Sequence, residues 1–247
     1  MHGTLPANAT LLAALAQSVS ASDCEVAVCV PAPYLAQASQ VLLGSAVAWG
    51  AQDCSAHKQG AFTGEVSAAM LTDFGCRYVI VGHSERRQYH GESSALVAEK
   101  MLRVLETGLS PIVCVGETLA QREAGQTDEV VAAQVQAAID ALKRVDEMQW
   151  IWRVVIAYEP VWAIGTGKTA SPEQAQQAHA AIRQQWQAAF ADHAKHLRVL
   201  YGGSMKAGNA ASLMAQPDID GGLVGGASLV AEEFLAIVAA AKTTAVA

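Results

Sequence analysis

One carboxylate in this chain stands where it could move a proton. Residues 157–168 read AYEPVWAIGTGK, and within them an apolar run ends at Glu159, which Pro160 follows. The next residues have an apolar centre and a Gly-Thr-Gly end, a pattern typical of a lid that is stiff at one end and flexible at the other. A carboxylate base beneath a lid can hold a reacting carbon and exclude water. A plain strand end with a surface turn is the commoner explanation of a Glu-Pro pair alone, but the whole string predicts a base and its lid.

A histidine ends another apolar run. Residues 79–87 read VIVGHSERR, so a buried strand would aim His83 at the edge of the sheet where chemistry gathers. If Ser84 opens a short helix, the positive helix end disfavours an imidazolium, and we expect His83 to be a neutral hydrogen-bond donor. Glu85 either orients its neighbours or forms a surface ion pair with Arg86 or Arg87, and both alternatives stay open. Ordinary surface or core positions are expected for five of the other histidines: His57, His90, His179, His193 and His196.

Two glycine-rich segments follow two further strand-like runs. Residues 201–204 read YGGS and residues 225–228 read GGAS. Glycines allow backbone amides to approach an anion closely, and a helix beginning near Ser228 would add its positive end. A tight turn explains either segment alone. On the last two strands of a repeating pattern of strands and helices, the two together predict a phosphate site.

Composition limits the classes to which the protein can belong. The chain has 247 residues, of which 52% are hydrophobic and 16% charged, so we expect residues 1–247 to form a single domain with a large core. No apolar run reaches the roughly 20 residues of a membrane helix, and the start does not resemble a signal peptide. A net charge of −7 argues against nucleic-acid binding. The five cysteines have no CxxC spacing, which favours reduced thiols in the cytoplasm.

Apolar runs alternate with helical patterns along the chain. The strands are predicted at residues 25–30, 47–51, 78–82, 112–116, 154–158, 199–202 and 222–224. The helices are predicted at residues 9–20, 96–108, 128–145, 172–193 and 231–241. Continuous apolar strands between helices imply an α/β fold with a parallel sheet, either a (β/α)8 barrel or a doubly wound sheet. The absence of GxGxxG after the first strand disfavours the dinucleotide-binding form of the second.

In its motifs the chain resembles the triosephosphate isomerase family over nearly its whole length. The motifs, in the family's order, are GAFTGEVSAAML at 60–71, VGHSERR at 81–87, CVGET at 114–118, AYEPVWAIGTGK at 157–168, YGGS at 201–204 and LVGGAS at 223–228. The resemblance implies a TIM barrel and an isomerase of glycolysis and gluconeogenesis. Such an enzyme interconverts dihydroxyacetone phosphate and glyceraldehyde 3-phosphate through an enediol or enediolate.

The resemblance also assigns roles to particular residues. Glu159 would be the base, and His83 would polarise the carbonyl oxygens. Backbone amides at Gly165, Ser204, Gly225 and Gly226 would bind the substrate phosphate. The lid would comprise Pro160, Val161, Trp162, Ala163, Ile164, Gly165, Thr166, Gly167 and Lys168. The reaction requires neither a metal nor an organic cofactor, and the sequence shows no ligand cluster to hold one.

A long loop after the second predicted strand resembles the dimerisation loop of the family. Its tip comprises Phe62, Thr63, Gly64 and Glu65, and in the family this loop inserts beside the active site of the neighbouring subunit. The resemblance therefore implies a homodimer in which Thr63 steadies the catalytic residues. A flexible surface loop is the alternative, although Phe62 at an exposed tip favours a partner interface.

The chain departs from the family pattern at its start. The family begins with a strand that ends in Asn-x-Lys, followed by a segment like residues 1–4, at which this chain starts. We therefore expect seven strands, no catalytic lysine, reduced activity and a weakened dimer. Lys58, Lys168 and Lys206 lie on other loops and would not replace that lysine. A misassigned start codon, a truncated chain and a genuine variant are the competing explanations.

Two other functions remain open at this stage. Another phosphate-binding barrel enzyme, such as an aldolase, would need a Schiff-base lysine at a strand end, and none is found. A non-catalytic barrel that binds phosphorylated ligands, or that acts as a scaffold, would fit the absent lysine. Such a scaffold has no need of a base, a histidine and a lid together, so the sequence favours the isomerase.

Overall fold

The computed structural model describes residues 1–21, 24–145, 147–164 and 169–244. Seven strands form one parallel sheet in chain order within these residues, as the sequence predicted. The strands are β1 (Val26–Val30), β2 (Val47–Ala51), β3 (Tyr78–Val81), β4 (Ser110–Val115), β5 (Val155–Tyr158), β6 (Arg198–Tyr201) and β7 (Gly221–Gly222).

Helices connect the strands and cover the sheet. They are α1 (Leu5–Ser18), α2 (Leu35–Leu42), α3 (Ala68–Asp73), α4 (Ser84–His90), α5 (Ser94–Glu106), α6 (Leu119–Glu123), α7 (Thr127–Lys143), α8 (Pro172–Phe190), α9 (Ala207–Met214) and α10 (Ala231–Thr244). None of the helices in these ranges is long and apolar enough to cross a membrane.

Alternating strand residues build two separate apolar layers. Ile80, Val155 and Ala157 belong to a small cluster on the inner face of the sheet. Their neighbours Val79 and Ile156 belong to the large cluster that includes the buried faces of the helices. Because successive residues of a strand point to opposite faces, these strands are covered on both sides and read as continuous apolar runs.

The sheet curls so that its two edge strands share one apolar cluster. Val26 of β1, Val224 just after β7, and Phe234 and Val238 of α10 all pack in this cluster. A flat sheet would hold the first and the last strand far apart. The curled parallel sheet with flanking helices therefore has the barrel-like α/β form that was predicted.

Local sequence sets the helix starts as expected in two cases. Ser171 caps α8, its side chain accepting from the N–H of Gln174, whose own side chain accepts from the N–H of Ser171. The helix α4 begins at Ser84, directly after His83, as the sequence allowed. It ends at Gly91, whose φ of 66° suits glycine.

Several boundaries differ from the sequence prediction. The first helix begins at Leu5 rather than at residue 9, because the Thr4 side chain caps it. The last strand is limited to Gly221–Gly222, where it pairs with the end of β6. Helices α2, α3, α6 and α9 were not predicted at all, because five to eight residues give too short a periodic pattern to be recognised.

Candidate active site

Glu159 lies directly after β5 and is almost fully buried, with 2% of its surface exposed. Its backbone N–H donates to the Val115 carbonyl at 2.7 Å, which extends the pairing of β4 and β5 by one residue. Its side chain accepts two hydrogen bonds, one at Oε2 from the Ser84 N–H (2.9 Å) and one at Oε1 from His83 Nε2 (2.9 Å). The carboxylate is therefore fixed by two donors from the start of α4.

His83 reaches the carboxylate as the cap of α4. Its Nδ1 accepts from the Glu85 N–H at 3.3 Å, which leaves Nε2 to carry the proton toward Glu159. Burial lowers the pKa of His83, but the hydrogen bond and the charge of Glu159, together with the charge of Glu85, outweigh burial and raise the pKa. The positive end of α4 was expected to disfavour an imidazolium. It does not decide the direction of the pKa shift of His83 while the ring contacts Glu159.

Glu85 lies beside this pair, and its side chain is largely exposed. Its Oε2 is 3.9 Å from His83 Nδ1. The neighbouring arginines are engaged elsewhere, since Arg86 pairs with Asp53 and Arg87 donates to backbone carbonyls. Of the two alternatives for Glu85, the arrangement favours an electrostatic effect on its neighbour His83 over a surface ion pair with either arginine.

Arg87 joins the ends of two strands behind the site, a role that sequence reasoning missed. Its Nε donates to the Gly82 carbonyl at 2.9 Å and its Nη2 to the Cys114 carbonyl at 3.0 Å. Burial lowers the pKa of Arg87, while nearby Glu159 acts in the opposite direction. Burial also raises the pKa of the Cys114 thiol, and Glu159 adds to that effect. The thiol is therefore a packing group next to the base.

A buried ion cluster supports α4 from its other end. In this Lys100 cluster, Lys100 Nζ donates to Asp53 (2.8 Å) and to Glu92 (2.6 Å). Arg86 Nε donates to Glu92 and forms an ion pair with Asp53 at 3.0 Å. Burial raises the pKa of Glu92, but its bonds to Lys100 and Arg86 outweigh burial and lower it. The Lys100 cluster ties the loop after β2, α4 and α5 together, and so fixes the helix that carries His83.

The first half of the predicted lid rests on a buried glutamate. Trp162 Nε1 donates to Glu117 Oε1 at 2.8 Å, and the Val161 N–H donates to the Glu117 carbonyl at 3.1 Å. Arg122 stacks over the Trp162 ring at 4.4 Å and also reaches Glu117. Residues 161–163 form a 3-10 turn in which Ala163 is buried. Lid residues Gly165, Thr166, Gly167 and Lys168 lie outside the described residues.

Glu117 was not assigned a role from the sequence. The only signal was its position at the end of β4, where polar residues gather in a parallel sheet. The contact with Trp162 joins residues 45 positions apart, and no periodic pattern in the sequence shows such a pairing.

The two glycine segments differ in why they need glycine. A Cβ on Gly202 would lie 2.8 Å from Glu159 Cγ, so the segment after β6 packs directly against the base. A Cβ on Gly225 or Gly226 would meet no atom of the described residues within 4 Å. Crowding by this chain therefore explains the first glycine but not the other two. Ser204 lies in the same segment as Gly202, where its carbonyl accepts from Asn209 Nδ2.

A short turn follows β7 where the sequence allowed a helix. Residues Gly226–Leu229 form a 3-10 helix, and both the N–H and the hydroxyl of Ser228 donate to the Gly225 carbonyl. The longer helix α10 begins only at Ala231. Because β6 and β7 pair with each other, the two glycine segments leave neighbouring strands at the same edge of the sheet.

The loop that resembles a dimerisation loop presents Phe62 at its tip. The Phe62 ring stacks on His57 with centroids 3.7 Å apart, and 40% of Phe62 is exposed. The Glu65 N–H donates to the Phe62 carbonyl, and the Ser55 hydroxyl donates to the Glu65 carboxylate. Thr63 and Gly64 between them are exposed. The loop is thus held at its base and offers an aromatic ring to its surroundings.

Within the described ranges, no group of three or more His, Cys, Asp or Glu side chains is arranged to hold a metal ion. The groups that meet at the carboxyl ends of the strands are a carboxylate, an imidazole and backbone N–H donors. Proton transfer and hydrogen bonding to an oxyanion are the reactions that such groups can perform.

Comparison with known proteins agrees with this chemistry. The family model described as triosephosphate isomerase matches residues 1–241. A triosephosphate isomerase of Herminiimonas arsenicoxydans is 59% identical over 98% of this chain and 96% of its own length. The corresponding protein of Albidiferax ferrireducens is 61% identical, over 98% of this chain and 95% of its own. The triosephosphate isomerase of Bordetella pertussis is 60% identical, over 97% of this chain and 94% of its own length.

These matches favour the isomerase over the aldolase and the non-catalytic scaffold that the sequence left open. They span almost all of the described sheet and every strand end that carries a polar group. The chain therefore belongs to the triosephosphate isomerase family and is an isomerase with the barrel-like α/β fold of that family.

Proposed function

We propose that this chain interconverts dihydroxyacetone phosphate and glyceraldehyde 3-phosphate in glycolysis and gluconeogenesis, with Glu159 as the base and His83 as the hydrogen-bond donor. The observation that carries these assignments is the direct contact of the buried Glu159 carboxylate with His83 Nε2 at 2.9 Å. A base and a donor this close can act on adjacent atoms of one small substrate.

Glu159 takes the proton from the carbon next to the carbonyl. The electron pair of that C–H bond forms the C=C bond of an enediolate, and the carbonyl oxygen gains the charge. His83 donates its Nε2 proton to a hydrogen bond with that oxygen, which stabilises the developing charge. Glu159 then returns a proton to the former carbonyl carbon, and the proton of the neighbouring hydroxyl passes to the oxygen that carried the charge. The first carbon thus becomes the new carbonyl carbon, and no redox partner is consumed.

The substrate phosphate is held by the glycine segments after β6 and β7. Ser204, Gly225 and Gly226 supply backbone N–H donors, and Gly165 of the lid supplies another. The open space around Gly225 and Gly226 supports this role, because it leaves the backbone accessible. Binding of the phosphate contributes energy that closes the lid, and closure keeps water from the enediolate.

The loop with Phe62, Thr63, Gly64 and Glu65 joins two copies of the chain into a homodimer. The exposed Phe62 ring on a loop fixed at its base supports this assignment. We also propose that residues 1–247 form a single domain, since one continuous sheet order runs through the chain. A cytoplasmic location is supported by the five cysteines, which are thiols and not disulfides.

The test is a coupled assay with both triose phosphates, run on the unmodified chain and on two variants. Removing a positioned base or donor lowers a rate by roughly 10²- to 10⁴-fold. Glu159→Gln and His83→Gln should therefore lower kcat by about 100-fold or more, with smaller changes in KM. Incorporation of solvent deuterium at the carbon next to the carbonyl should fall in parallel.

Glu99→Gln is the matched control, because this carboxylate pairs with Arg144 on the surface, away from the site. It should turn over like the unmodified chain. Turnover unchanged in Glu159→Gln would remove that residue from the role of base. The reduced activity of this chain, which was expected from the sequence, stays a prediction. The turnover of the unmodified chain in the same assay tests it.

A further inference from the structure

His179 is a buried histidine that the proposed chemistry does not use. It lies in α8, the helix that follows the lid, and none of its surface is exposed. Its Nδ1 is 3.2 Å from the Asp218 carbonyl, which fixes the plane of the ring. Among the described residues its Nε2 has no hydrogen-bond partner. An unpartnered polar atom in a core costs free energy, so the histidine at this position calls for a reason.

The His179 ring contacts two tyrosines that end neighbouring strands. It meets the Tyr158 ring edge-on, with centroids 5.8 Å apart and an angle of 87°. It lies 6.4 Å from the Tyr201 ring at an angle of 33°. Both tyrosines are buried, and β5 and β6 pair directly at these two residues. The histidine therefore sets the space that each ring can occupy.

Tyr158 connects the His179 ring with the first part of the lid through hydrogen bonds to Glu117. Its hydroxyl donates to Glu117, at 3.1 Å from Oε2. The same carboxylate accepts from Trp162 Nε1 at 2.8 Å. A shift of the Tyr158 ring would move the hydroxyl that helps to hold Glu117, and Glu117 holds the tryptophan of the lid.

Tyr201 connects the same His179 contact with the start of the lid. A Cβ on Gly203 would lie 2.2 Å from the Tyr201 hydroxyl and 3.0 Å from Pro160 Cγ, so the hydroxyl and the proline crowd one spot.

We propose that His179 is a positioning residue that holds the rings of Tyr158 and Tyr201 and thereby fixes the first half of the lid, residues 160–164. This role rests on the proposed isomerase function for its kinetic consequences. Its structural consequence, an ordered first half of the lid, does not depend on that function.

The first test is the fate of the enediolate. An incompletely closed lid admits water and lets the intermediate expel its phosphate, so the inorganic phosphate released per triose isomerised measures closure. His179→Asn removes the ring and should raise this ratio at least fivefold. His179→Phe keeps a ring but loses the bond to Asp218, and it should raise the ratio at least twofold.

Trp186→Phe is the matched control. Trp186 is buried in the same helix, and its Nε1 also has no partner among the described residues. Its ring meets the Phe190 ring edge-on, away from the tyrosines. A loss of general stability would affect all three variants. The ratio does not depend on the fraction of folded protein, so only a role in positioning the lid separates the His179 variants from Trp186→Phe.

The second test is hydrogen exchange followed by mass spectrometry on the peptide that covers residues 160–164. The N–H groups of Val161, Ala163 and Ile164 are hydrogen-bonded here, and their exchange should quicken in both His179 variants but not in Trp186→Phe. Folded His179 variants with the phosphate ratio and the exchange rates of the control would overturn the proposal. Faster exchange in a chain that does not isomerise triose phosphates would refute the proposed function alone.

Discussion

Acidification should destabilise this chain through His179 by an amount that the structure allows to be worked out. Burial lowers the pKa of His179 to about 4, from an ordinary value of 6.5. Between these two values the unfolded chain binds a proton that the folded chain excludes, so the free energy of unfolding falls as the pH falls. Each pH unit in this window is worth roughly 1.4 kcal/mol, so lowering the pH from 7.5 to 4.5 should cost the folded chain about 2.5 kcal/mol at this residue.

Urea unfolding at fixed protein concentration measures this cost. The unmodified chain and His179→Phe are compared at pH 7.5, 6.5, 5.5 and 4.5. Every other charged group is present in both proteins, including Arg183, whose charge opposes protonation of His179, and Asp218, whose charge favours it. The difference between the two curves therefore reports His179. It should change by only about 0.4 kcal/mol from pH 7.5 to 6.5 and then by roughly 1 to 1.2 kcal/mol per pH unit, in favour of the variant.

Parallel curves for the two proteins down to pH 4.5 would refute this reasoning. They would mean that the His179 ring takes up its proton in the folded chain about as easily as in water. A difference of opposite sign would mean that the folded chain stabilises the imidazolium. The conclusion that His179 is a neutral ring between the two tyrosines would then be wrong.

Three substitutions elsewhere test the packing described above. Lys100→Met leaves two carboxylates of the Lys100 cluster to a single arginine, and it should lower the urea-derived free energy of unfolding by roughly 3 kcal/mol. Gly116→Ala would place a Cβ 1.8 Å from the Glu159 carbonyl, so both stability and kcat should fall, with a loss of stability of roughly 2 kcal/mol. Gly208→Ala, in α9, places a Cβ that meets no atom of the described residues within 4 Å. It should raise the free energy of unfolding by up to about 1 kcal/mol, which a higher thermal midpoint would show. The opposite signs expected for the two glycine substitutions make them controls for each other.

The sheet could be predicted from the sequence because its strands are covered on both faces. The predicted strand at residues 154–158 matches β5 within one residue, since every position in it is buried. The last strand was less well placed, because its short pairing with β6 depends on register rather than on an apolar run. Helix α2 escaped prediction for a related reason. Eight residues have little helical preference of their own, and burial of Leu35, Ala38 and Leu42 stabilises them.

The central pair of the site was predictable, whereas its supports were not. Glu159 and His83 were expected to meet because the carboxyl ends of parallel strands share one edge of the sheet. The partners Glu117 and His179 depend on side-chain contacts between distant positions. His179 in particular was predicted to be an ordinary surface or core residue. It does lie in the core, but only the structure shows the unpartnered nitrogen and the two tyrosines around it.

The contact between Glu159 and His83 also indicates how the substrate must enter the proposed site. Both carboxylate oxygens accept hydrogen bonds here, Oε1 from His83 and Oε2 from the Ser84 N–H. A carbonyl oxygen that takes the Nε2 proton of His83 as its donor must replace Oε1, so binding frees one oxygen of the base at the moment when the substrate reaches it. The Ser84 N–H still holds the other oxygen, because it belongs to the backbone at the start of α4. The same helix start thus orients the donor and the base, and the Lys100 cluster and Arg87, which both hold α4, bear on the two groups together.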